Sequence, residues 1–202
     1  MWPADFYTGF EIAAVEWVVP LALSGVGFET YQTLGALERA GIQFGATLVV
    51  AMVFLGLAQG YGPKTVGTSR RSPVISLCIG LPGLLIVSGI TATGYLIIGT
   101  SLGTFFGIPV VIIGATVLPI LTVLGFVAIG QSIATRLGRD QLWAGVIVGS
   151  VLSGLVGVSV ATTILAAIVA GALGVGAGVR VLFRSGGTTQ PDERTVPPAN
   201  KI

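Results

Sequence analysis

Five stretches of eighteen or more mostly apolar residues follow one another along this chain, at 43–60, 73–98, 105–133, 141–158 and 160–183. A helix crossing the hydrocarbon core of a bilayer needs about 20 such residues. Only one charged side chain, Arg180, falls inside any of the five. The runs are continuous, whereas the strands of a membrane β-barrel alternate over about ten residues, so a barrel is excluded. The predicted fold is all-α: a polytopic helical membrane protein with its spans in one bundle. Composition agrees, with 9% charged residues and a mean hydropathy of +0.95 against about 25% charged in an average soluble domain. A soluble fold of this make-up would expose large apolar patches and aggregate, so the lipid bilayer is the expected first partner.

Charge placement orients the spans. Lys64, Arg70 and Arg71 lie between the first and second, Arg136 and Arg139 between the third and fourth, and Arg180 and Arg184 at the end of the fifth. Spans alternate in direction, so these three clusters fall on one side. Short loops rich in Lys and Arg mark the cytoplasm, which predicts a cytoplasmic C-terminus in the cell membrane. The turns at 99–104 and around 159 carry no charge. Pro109 is expected in the first turn of the third span, where its missing N–H breaks no hydrogen bond. Pro119 is expected to kink that span.

Residues 1–42 form an acidic segment, with Asp5, Glu11, Glu16, Glu29 and Glu38 against Arg39 alone, a net −4 beside +6 for the remainder. This asymmetry fits two faces of a membrane, and the absence of a basic stripe interleaved with aromatics excludes nucleic acid as a partner. Within the segment, 10–28 (FEIAAVEWVVPLALSGVGF) is long enough to span. If it does, there are six helices with both termini inside; if it lies on the surface, there are five. Glu16 is then the candidate intramembrane carboxylate, since ionisable groups in spans are rare and tend to be functional. The start MWPADFYTGF lacks the basic n-region of a cleavable signal peptide. The polar stretch 185–202 reads as a disordered tail.

Small residues recur at helical spacing in the last two spans. Gly145, Gly149, Ser153 and Gly157 form one stripe, and Ala166, Ala170, Gly174 and Gly178 another. Helices in lipid gain no hydrophobic drive from associating, so close van der Waals packing of small residues holds them together. With a very short turn between them, the two spans are expected to oppose these faces in a tight hairpin. An outward stripe would instead serve a homo-oligomer contact.

From residue 43 onward the sequence also carries RRSP, VISLCIGLPG, a GIP-led span closing in GFVAIGQSIATRLG, LWAGVIVGSVLSGLVG and GALGVGAGVRVLF. This pattern resembles the prokaryotic multi-span membrane domain of unknown function that accompanies bactofilin-like polymer-forming proteins. The resemblance covers about 43–184. It rests on glycine and proline placement together with the LW and RLG steps. It implies an archaeal or bacterial protein with an anchoring role and a membrane or cytoskeletal protein partner. Two lysines against eight arginines suit a GC-rich genome of that kind, while residues 1–42 hold no β-helix repeats.

Chemistry is sparse. The chain has no histidine, and Cys78, its single cysteine, is expected as a buried, inert thiol. Serine hydrolysis lacks a base, a metal site lacks ligands, and no phosphate-cradling G-x-x-x-x-G-K-[ST] occurs. Neither enzyme activity nor a cofactor is expected. Ser88, Thr91, Thr93, Thr116 and Thr122 are expected to bond to carbonyls of their own helices, and Gln59 and Gln131 to sit near span ends. Two function classes remain: a structural, anchoring or interaction protein, and a small transporter or channel subunit.

Overall fold

The computed structural model describes residues 31, 33–98 and 101–186. The segment 10–28, with Glu11 and Glu16, and the tail from 187 onward lie outside the described residues. Six α-helices are defined among the described residues, with no strand. They are α1 (Ala36–Leu57), α2 (Gly62–Arg71), α3 (Pro73–Ile97), α4 (Ser101–Arg136), α5 (Leu142–Val156) and α6 (Val160–Gly186). Within α1, α3, α4 and α6, Ala36–Leu57, Pro73–Ile97, Gly103–Arg136 and Val160–Phe183 are long and apolar enough to cross a membrane. Leu142–Val156 is a shorter apolar helix. Its 15 residues reach about 22 Å, below the roughly 30 Å hydrocarbon core. The outer surface matches lipid, with Leu85, Ile113 and Leu165 at 71, 63 and 65% exposure.

Helix α1 begins at Ala36, before the expected start at 43. The Glu38 carboxylate accepts the Gly35 N–H at 2.9 Å, satisfying one of the donors a helix start leaves open and placing negative charge at the positive end of the dipole. Helix α4 likewise starts at Ser101, so Pro109 lies inside it with Pro119 rather than in its first turn. Pro82 is inside α3. Membrane helices tolerate interior proline because neighbouring groups re-satisfy the freed backbone carbonyls.

The basic segment 61–72, read from the sequence as a loop, folds into α2. Gly62, Thr65, Val66 and Ser69 are buried at the i, i+3, i+4, i+7 spacing of one helix face, with Lys64, Arg70 and Arg71 exposed. After α4 the chain turns on Gly138, whose φ of 79° suits glycine. Arg139 N donates to Ala134 O at 2.9 Å, the six-to-one bond of a Schellman cap. That turn delivers Asp140 to Arg70, at 3.3 Å. Arg180 reaches Ser76 near the start of α3 at 3.1 Å. The three basic clusters therefore share one end of the bundle.

Candidate functional site

The region with the most specific geometry is the contact zone around α6, where every residue from 170 to 178 is buried. Two stripes, each with a four-residue spacing, face two different helices. Ala172 and Gly176 lie against Ser76 and Gly80 of α3: a Cβ on Gly80 would overlap the Ala172 carbonyl, and one on Gly176 the Ser76 carbonyl. Ala170 and Gly174 lie against α4, where a Cβ on Gly125 would overlap the Ala170 carbonyl and one on Gly174 the Leu121 carbonyl. Helix α2 closes a third side. The Ser69 hydroxyl donates to Leu173 O at 2.9 Å, and the Tyr61 hydroxyl sits 2.6 Å from where a Gly178 Cβ would be.

The α5 stripe is divided between two partners. A Cβ on Gly145 would come within 2.7 Å of Gln131 Cβ, and one on Gly149 within 2.6 Å of Phe126 O. Both neighbours belong to α4. Ser153 and Gly157 instead face α1. The Ser153 and Thr47 hydroxyls share a buried hydrogen bond of 2.8 Å, and a Gly157 Cβ would meet Gln43 Cβ at 3.2 Å.

The stripes of α5 and α6 thus do not oppose each other, contrary to the hairpin expected from their adjacency in sequence. Helix α4 serves both. Its Gly125 turns to α6 and its Gly130 to Gly145 and Gly149, because five residues separate two positions by about 140° around a helix. Ala166 is half-buried. It lines an open apolar groove of about 320 Å³ with Phe126, Ile129, Leu152 and Val156.

The polar groups fall into three sets. Ser88, Thr91, Thr93, Thr116 and Thr122 donate to Leu84, Val87, Gly89, Ile112 and Leu118 of their own helices, which satisfies hydroxyls that lipid cannot. Gln131 is buried beneath Gly145, and Ser150 Oγ is buried with no hydrogen-bond partner. The ends carry the charges. Arg39 donates to Val158 O at 3.3 Å, a cation at the negative end of α5, with Tyr31 6.0 Å from its guanidinium. Cys78 is exposed on the outer surface of α3, not buried as its apolar surroundings suggested. Those surroundings are apolar because they face outward. Among the described residues no group of three His, Cys, Asp or Glu is placed to hold a metal.

Tyr61 sits between α1 and α2, where burial pushes its phenol above the ordinary 10.0 and Thr65 pulls it partly back. No protein-family model, curated protein or solved structure matches the chain.

Proposed function

We propose that this protein is a multi-pass scaffold of the cell membrane. It anchors or organises a protein partner, with its basic end and C-terminus in the cytoplasm. The observation that carries this reading is the packing of α6, whose backbone meets those of α3 and α4 along its buried length. Contacts at that distance tolerate little sliding, which suits a fixed platform better than alternating access. The resemblance to the domain that accompanies bactofilin-like proteins favours a cytoskeletal polymer as partner. Affinity capture from native membranes, set beside flux of ions and small solutes in proteoliposomes, tests this reading. Specific capture with solute-tight vesicles is expected; flux without a stable partner overturns it.

The alternative is a small transporter or channel subunit. It is favoured by the prolines inside the adjacent helices α3 and α4, since broken helices in neighbouring positions often line binding sites. The orientation is tested by cysteines at Thr68 and Thr188 on a Cys78→Ala background, which should resist an impermeant thiol reagent on intact cells. Labelling of either from outside reverses it. Whether 10–28 adds a sixth span, with Glu16 turned to the bundle interior, is read from its insertion in a glycosylation-reporter fusion. Better insertion of Glu16→Gln is expected from a span, and equal, near-zero insertion of both from a surface segment.

A further inference from the structure

We propose that the groove between α3 and α6 binds one anionic phospholipid, its phosphate on Arg180 and an acyl chain along Ile79, Val179 and Phe183. The proposal rests on α3 and α6 being membrane spans, but not on the scaffold role. These four residues line a groove of about 490 Å³. Arg180 lies six residues before the end of α6, at the end of the bundle that gathers the basic clusters.

A guanidinium offers five N–H donors in a fixed fork. In Arg180, Nη1 donates to Ser76 Oγ at 3.1 Å, and Ser76 is fully buried, so its anchor point is held by the helix pair. A neutral hydroxyl orients the cation without neutralising it. The only ion pair among the described residues joins Arg70 to Asp140, so no described carboxylate balances Arg180. The guanidinium donors that do not engage Ser76 suit an anion.

The rest of the groove decides which anion. Ile79 and Phe183 are 40 and 79% exposed, and with Val179 they form an apolar wall beside the guanidinium. A free phosphate gains nothing from that wall. A phospholipid joins a phosphate at the interface to hydrocarbon chains that run on into the bilayer, and basic pockets between spans recognise such headgroups. An anionic headgroup is favoured over a zwitterionic one, whose own cation competes for the phosphate.

The test uses the full chain in detergent, mixed with phosphatidylglycerol or with phosphatidylcholine of identical acyl chains, and native mass spectrometry to measure retained lipid. Phosphatidylglycerol should be retained over phosphatidylcholine. Arg180→Gln should lower that retention about fivefold, the effect of one arginine near a membrane surface, while Arg136→Gln at the same end leaves it unchanged. Equal losses in the two variants would mean diffuse charge attraction and overturn the site. Phe183→Ala removes an exposed side chain, so the fold should survive and lipid retention fall. Unchanged retention in that variant overturns the groove even if Arg180→Gln fails to fold. Millimolar inorganic phosphate should not displace the lipid, and complete displacement would reassign Arg180 to a free anion.

Discussion

Around α6, and where Gly130 of α4 meets Gly145 and Gly149 of α5, the helices touch through their backbones, whereas α1, α2 and α4, joined by Val146 of α5, meet through side chains. On the first side Gly80, Gly125, Gly174 and Gly176 bring carbonyls of one helix against the α-carbons of the next. On the second, Ala51, Leu55, Val66, Leu124, Val127 and Val146 interlock in a buried cluster, with Thr47 and Ser153 bonded nearby. Both arrangements answer the same problem, because lipid tails are as apolar as the helices and only tight packing favours association. They differ in tolerance. Side chains can change rotamer around a lost methyl group, but two backbones in contact have no adjustable atoms between them. The first side therefore fixes the geometry of the bundle, and the second can absorb change.

The largest expected effect comes from putting a side chain where two backbones meet. Gly174→Leu and Gly80→Leu should prevent the α6 contacts from forming, a loss beyond the roughly 1–3 kcal/mol at which overpacked side-chain cores relax. Gly89→Leu is the control, since nothing lies within 4 Å of its added Cβ, and it should keep wild-type thermal stability in detergent and in bilayers. If Gly174→Leu matched Gly89→Leu, the contrast between the two regions would collapse. Next comes Leu124→Ala in the side-chain cluster, where 1% exposure predicts about 2–5 kcal/mol for the cavity left behind. That variant should still assemble, with a lower unfolding midpoint. Ser153→Ala and Thr47→Val should each cost about 0.6 kcal/mol, the average for interhelical hydrogen bonds in membranes. A double-mutant cycle between them should show the coupling of a single shared bond.

Length and hydropathy are local properties, so four of the five expected spans return as helices long and apolar enough to cross a membrane, the first starting seven residues early, while the fourth returns as the shorter apolar helix Leu142–Val156. Their pairing was not legible in the sequence. The 145–157 and 166–178 stripes identify smooth faces, but a stripe does not name its partner. The deciding residues were Gly125 and Gly130, whose five-residue offset turns two faces of α4 to different neighbours. The second stripe of α6, Ala172 and Gly176, interleaves with the first and is masked by it in the sequence. Its mate in α3, Ser76 and Gly80, shows the same four-residue spacing and was the available signal. Helix α2 escapes the pattern for another reason: its buried face includes Thr65, Val66 and Ser69, and hydroxyl residues do not register in a hydropathy pattern. Arg180 looked like one more orienting charge, and only the fold puts it beside Ser76.

The smallest expected effect probes the side chain that joins the two regions. Tyr61 packs its ring edge-on to Phe54 of α1 at 6.4 Å, while its hydroxyl reaches Gly178 of α6. Burial disfavours the phenolate, so the folded-state pKa stands above the ordinary 10.0. Below pH 10 the phenol is protonated in both folded and unfolded chains and contributes no pH dependence. Above it the unfolded chain gives up the proton first, so stability falls as pH rises through and beyond the unfolded value. Tyr61→Phe keeps the ring and removes the ionisation. Other groups titrate in the same range, so the informative quantity is the difference between wild type and variant. Unfolding curves measured from pH 8 to 11 should run parallel below about pH 9.5 and diverge above 10, with the wild type losing stability faster. Parallel curves throughout would mean that the Tyr61 hydroxyl is open to water, and that the contact between α2 and Gly178 is looser than the backbone contacts beside it.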